Sequence, residues 1–166
     1  MKRLIIYDAP TEHIETFTND EDILVNAGEI SRYCIGCFGC WLKTPGTCVI
    51  KDGFQDMGRR LSEVSEFLLI SRATFGSYSS AVKNVLDRSI SYVLPFFEIR
   101  NGEMHHGERY FNDLTISALF YGDMSDEEKR TAESLVQANA VNLNAALGKV
   151  HFVEGMENVR EVLVCF

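Results

Sequence analysis

The sequence predicts a doubly wound α/β domain, with five parallel strands in one sheet and helices layered on both faces to make three layers. Short runs of β-branched and other apolar residues alternate with longer stretches of helical period. The short runs are apolar nearly throughout, as strands buried on both faces must be. The chain has 166 residues, of which 46% are apolar, which suits one domain with a real core. There are no repeats and no linker-like stretch, so a single domain over residues 1–166 is expected.

Residues 3–7 read as the first strand, 8–22 as irregular or weakly helical, and 23–25 as a short second strand. A loop carrying four cysteines follows over 34–48. From Asp52, the residues Phe54, Met57, Leu61 and Val64 recur at helical spacing, with Asp52 and Gln55 placed as an N-terminal cap pair. This predicts a helix to about Ser65. Residues 66–71 are the clearest strand, and they run into a loop over 72–78. Ala81, Val82, Val85, Leu86, Ser89, Ile90 and Val93 mark one face of a helix that Pro95 brings to an end. A long connection rich in Phe, His and Gly is expected over 94–112, before a fourth strand at 114–121 closed by Gly122. Ser125 and Glu128 make a capping box for the longest helix. Its apolar face, Leu135, Val136, Ala140, Leu143 and Leu147, carries it to Gly148. A fifth strand at 150–153 and a short tail complete the chain. Ligands of such sheets sit at the carboxyl ends of the strands where the strand order reverses, here near 8–10, 72–78 and 121–124.

A net charge of −8 and a pI near 5.0 argue against nucleic acid or an anionic membrane as partner, since both reward a basic patch. A small neutral or organic ligand fits better. No run approaches the roughly 20 apolar residues of a membrane helix, and Asp8 interrupts the first apolar run, unlike a signal peptide. A cytoplasmic protein is expected. There, thiols stay reduced, so Cys34, Cys37, Cys40 and Cys48 point to a metal or redox role rather than a disulfide framework. Their spacing, C-x2-C-x2-C-x7-C, suits a [4Fe–4S] cluster or tetrahedral zinc. The alternative is a set of structural or redox-reactive thiols packing the loop. Cys165 reads as a small buried side chain.

The stretch 34–52, with Cys34, Cys37, Cys40, Trp41, Cys48 and Asp52, resembles the cysteine region of the NADPH-dependent FMN reductase and iron–sulfur flavoprotein families. The stretch 74–88 resembles their loop and helix after the third strand. The resemblance implies a flavodoxin-like fold, FMN at the strand ends, and electron or hydride transfer from NAD(P)H to an acceptor. It places Thr74, Phe75, Gly76, Ser77 and Tyr78 against the flavin, with Tyr121 and Gly122 nearby. It also implies a homodimer, with part of the aromatic connection at the interface.

One segment departs from the family pattern. Those reductases follow their first strand with a Gly/Ser/Thr/Asn-rich turn whose amides hold the FMN phosphate. This sequence has Pro10, which lacks an amide hydrogen, among Asp8, Glu12 and Glu15, which repel a phosphate. A second reading follows, of a flavodoxin-like module that has lost FMN and binds a partner or a metal through the four-cysteine loop. Phe75, Tyr78 and Trp41 serve as ring partners in the first reading and as packed aromatics in the second. His105 and His106 are either part of a lid or subunit contact, or plain surface histidines.

Overall fold

The computed structural model describes residues 2–163 and 166; Cys165 therefore lies outside the described residues. In chain order the elements are β1 (Arg3–Tyr7), α1 (Thr11–Ile14), β2 (Ile23–Asn26), α2 (Gly39–Leu42), α3 (Met57–Ser62), β3 (Glu66–Arg72), α4 (Ser80–Arg88), β4 (Val93–Arg100), β5 (Glu103–Glu108), β6 (Thr115–Tyr121), α5 (Asp126–Asn142), β7 (Ala146–Val153) and α6 (Val159–Leu163). Five strands form one sheet in the order β2-β1-β3-β6-β7, and every neighbouring pair is parallel. The order reverses at β1. No helix among the described residues is long and apolar enough to cross a membrane.

The side-chain period of two divides each strand between two cores. Leu4, Ile6, Phe67, Leu69, Ile116, Ala118 and Phe120 face α3, α4 and α5, through Met57, Leu61, Val82, Val85, Ala132, Val136 and Ala140. Ile5, Tyr7, Leu68, Ile70 and Leu119 face the other way, onto Ile14 of α1 and Val159 and Leu163 of α6. Among the described residues, that second face is covered by one-turn helices, because residues 8–22 hold too few apolar positions for a full helix.

Three expectations are corrected. Residues 94–112 are not an irregular connection, because β4 and β5 pair as an antiparallel hairpin. Its turn, Asn101-Gly102, has φ of 52° and 85°, the left-handed pair that a two-residue hairpin turn needs. Pro95 falls inside β4, where the register shifts between Val93 and Phe97, as a residue without an amide hydrogen requires. The helix expected from Asp52 begins only at Met57. Asp52 and Gln55 do exchange hydrogen bonds with local amides, at 3.2 Å to Phe54 N–H and 2.8 Å to Gly53 N–H, but these close a turn ahead of the helix. The longest helix stops at Asn142 rather than Gly148, since Asn144 takes a left-handed φ of 52°.

Gly148 lies within β7, where the register with β6 slips. A Cβ there would stand 2.2 Å from Ser117 Oγ, the hydroxyl that accepts the Lys149 N–H at 3.1 Å. Gly148→Ala is expected to lower the unfolding free energy by about 1–3 kcal/mol, read from urea denaturation midpoints; an unchanged midpoint would contradict this packing.

Candidate functional site

The carboxyl ends of β1, β3 and β6 lie side by side, since Tyr7 pairs with Ile70 and Arg72 with Tyr121. Asp8, the first residue past β1, ties them together. Its N–H donates to the Ile70 carbonyl at 3.3 Å. Its Oδ1 accepts the Arg72 N–H and the Tyr121 hydroxyl, each at 3.0 Å. Burial raises the Tyr121 phenol above its ordinary pKa, and the Asp8 carboxylate adds to the rise, so the phenol stays protonated and donates.

Thr74 and Ser77 exchange backbone hydrogen bonds at 2.9 Å in both directions, around Phe75 and Gly76 at φ of 50° and 73°. Phe75 points outward and is 90% exposed. A Cβ on Gly76 would stand 2.9 Å from Thr131 Cβ and 3.0 Å from the Glu128 carbonyl, so the turn rests closely on α5. Tyr78 turns the other way. It is 3% exposed, stacks on Phe120 with centroids 5.2 Å apart, and its hydroxyl accepts from the Asn139 amide at 3.2 Å. Burial pushes this phenol well above its ordinary pKa. Thus Thr74, Phe75, Gly76 and Ser77 share one turn, Tyr121 and Gly122 end the adjacent strand β6, and Tyr78 stacks on Phe120 while also lining a cavity beside α4.

A phosphate at this edge would need free backbone amides at the start of a helix. The Arg72 amide is taken by Asp8, that of Ala73 by the Tyr121 carbonyl at 2.8 Å, and that of Gly122 by Val153 at 3.0 Å. Pro10 offers none, and α1 after it is a four-residue turn without a side-chain cap. The Asp8 carboxylate would also repel an anion. Pro10 and the Asp8 carboxylate thus set this edge apart from an amide-rich phosphate turn.

A cavity of about 700 Å³ opens instead between the cysteine loop, α4, the β4–β5 hairpin and the second half of α5. Two α4 side chains, one turn apart, clamp the loop. Asn84 Oδ1 accepts the Cys34 N–H at 2.9 Å, and its Nδ2 donates to the Arg32 carbonyl at 3.2 Å. Arg88 donates to both Asp52 oxygens at 2.6 and 2.7 Å, and to the Ile50 and Arg32 carbonyls at 3.2 and 3.4 Å. The Arg88 side chain is fully buried and that of Asp52 is 9% exposed. Hydrogen bonds from Arg88 hold the Asp52 carboxyl below its ordinary pKa. Trp41 fastens the loop to the hairpin, because its Nε1 donates to the Val93 carbonyl at 3.0 Å and its ring lies 4.8 Å from that of His106. His106 in turn lies 4.7 Å from Phe97, while its neighbour His105 contacts Glu103 at 3.3 Å.

All four loop cysteines line this cavity. Cys34 and Cys37 are exposed, Cys40 is half-buried and Cys48 is buried. Burial pushes the Cys40 thiol up, and the fields of Cys48, Cys34 and Cys37 push it further. Among the described residues, no three His, Cys, Asp or Glu side chains gather as a group able to hold a metal ion, so the geometry lends no support to a cluster or zinc at these cysteines. The clamp was not foreseen from the sequence. Its signal was two polar residues, Asn84 and Arg88, spaced i and i+4 beside the apolar face of α4.

No protein-family model and no curated protein matches the chain. Solved structures do. A NAD(P)H:quinone oxidoreductase from Methanothermobacter marburgensis superimposes with a TM-score of 0.64 at 13% identity, over 99% of this chain and 94% of that one. The fold is flavodoxin-like. The azoreductase AzrA gives 0.61 at 11% identity, over 99% and 94%. An FMN-dependent NADH-azoreductase from Bacillus anthracis str. Ames Ancestor, solved in complex with FMN, gives 0.54 at 13% identity, over 99% and 93%. Within this flavodoxin-like frame, the clamp and the hairpin wall place the cavity beside the α4–α5 layer rather than at the strand ends.

Proposed function

We propose that this chain is a flavodoxin-like binding module without resident FMN, acting through the cavity beneath its four-cysteine loop. The observation that carries this reading is the Asp8 carboxylate at the strand ends, bonded to the Arg72 amide and the Tyr121 hydroxyl, a negative charge that disfavours an anion beside it. The test is the visible spectrum of the purified protein with an FMN titration. Colourless protein that takes up no FMN at about 100 μM, a concentration at which even a weak site with a Kd of that size would be half filled, is the expected result. Stoichiometric flavin bands would sink the reading.

A second reading is a flavin-dependent NAD(P)H oxidoreductase with an unassigned acceptor. It is favoured by likeness to the azoreductases and the quinone oxidoreductase, and by the resemblance of 34–52 and 74–88 to the FMN reductases. In that reading Thr74, Phe75, Gly76, Ser77 and Tyr78 would hold the flavin, with Tyr121 and Gly122 nearby. A cytoplasmic homodimer belongs to the same proposal, with Phe96, Phe97 and Ile99, all exposed on β4, as the contact surface. Metal analysis of the purified protein decides whether Cys34, Cys37, Cys40 and Cys48 carry iron or zinc.

A further inference from the structure

We infer that the cavity under the cysteine loop is a small-molecule site for an uncharged, predominantly apolar ligand rather than for a nucleotide; this rests on the binding-module reading above. Its volume of about 700 Å³ falls in the range of drug-sized ligands. The charges on its wall are already matched within the protein. Lys83 pairs with Asp87, Arg88 with Asp52 and His105 with Glu103, so among the described residues no unpaired lysine or arginine faces the space to receive a phosphate. No unpaired carboxylate faces it to receive a cation, although the chain as a whole carries −8. The remaining polar lining is sulfur from the four cysteines and Met104, together with the neutral side chains of Ser89, Asn139 and Asn142 and the His105 and His106 imidazoles. Thiols and thioethers are weak donors and acceptors, so such a wall asks few hydrogen bonds of a ligand and rewards apolar contact with polarizable sulfur. Leu86, Leu135 and Phe97 supply the rest of that contact. Two of the walls, the cysteine loop and the β4–β5 hairpin, lie outside the five-stranded sheet and meet here, through Trp41 with Val93 and His106.

The neutral dye Nile red, titrated into the full chain by fluorescence, tests this. One saturable site per chain is expected. Met104→Glu and Leu135→Arg, each placing a charge in the cavity, are expected to weaken dye binding by about tenfold or more, a loss of roughly 1.4 kcal/mol. Phe96→Ser, exposed on β4 and outside the cavity lining, is expected to leave it within about twofold, well under that tenfold step. Far-UV circular dichroism checks each fold, and Met104, itself 66% exposed, keeps the test valid if Leu135→Arg unfolds. Absence of dye binding to the wild type, unchanged binding in the Met104 variant, or an equal loss in Phe96→Ser would overturn the inference. Loss of the dye as the chain self-associates on a sizing column would assign the cavity to a second copy and overturn it too. FMN uptake bears on the binding-module reading instead; FMN displacing the dye would overturn the preference for uncharged ligands.

Discussion

Replacing Arg88 with methionine is expected to lower the unfolding free energy by about 3–5 kcal/mol, the cost of leaving one partner of a buried ion pair alone. Arg88 is fully buried and makes four hydrogen bonds that reach Asp52, Ile50 and Arg32. Methionine keeps most of the volume and removes every one of them. The Asp52 carboxylate is left without its cation, and the Ile50–Asp52 end of the cysteine loop loses its tie to α4, while Asn84 still holds the Cys34 end. Urea denaturation measures the loss, and a change below about 1 kcal/mol, the worth of a typical exposed pair, would contradict the buried clamp. The pH dependence has a definite sign. Asp52 is held below the ordinary carboxylate value of 3.8, so its contribution is complete above that value and is lost as the pH falls through the folded pKa. The gap between wild type and Arg88→Met should therefore narrow in acid, because a protonated Asp52 no longer needs its partner.

Trp41→Ala is expected to cost about 2–3 kcal/mol, less than the 3–5 of a fully buried tryptophan, since Trp41 is half-buried. The larger effect is local. Trp41 stacks on Phe38 at 5.4 Å, contacts His106 at 4.8 Å and donates to the Val93 carbonyl, so it joins the loop to the hairpin. Without it, limited proteolysis should cut first within residues 93–108 and the Cys40 thiol should react faster with a disulfide reagent. Wild-type cleavage and thiol kinetics in the variant would show that Trp41 fastens nothing.

The strands were legible because burial on both faces leaves a signature that few other structures share. Residues 3–7, 66–71 and 114–121 are almost uninterrupted apolar runs, and each became an interior strand. The hairpin was missed although its turn, Asn101-Gly102, was in plain view. Phe, His and Gly around it have the composition of a loop, and Pro95 reads as a stop rather than a bulged strand. The end of α5 was misplaced because Leu143 and Leu147 continued the apolar period beyond the point where Asn144 turns left-handed. At the site, the four cysteines and the acidic strand end could be read from local sequence. The Arg88–Asp52 pair could not, since 36 residues separate its members and no local pattern links them. Tyr78 shows the same limit. Its partners, the Phe120 ring on β6 and Asn139 on α5, lie far along the chain, and no local pattern announces them.

The most direct test of the account is amide chemical-shift mapping of the ¹⁵N-labelled chain during titration with FMN and, separately, inorganic phosphate. With Asp8 occupying the strand ends, the amides of Asp8, Arg72, Thr74 and Gly122 are expected to stay in place up to about millimolar ligand, where even an affinity near −4 kcal/mol would register. Saturable shifts of those amides, with the Arg72 signal moving as its bond to Asp8 is replaced, would show that an anion does bind there and would contradict the proposal.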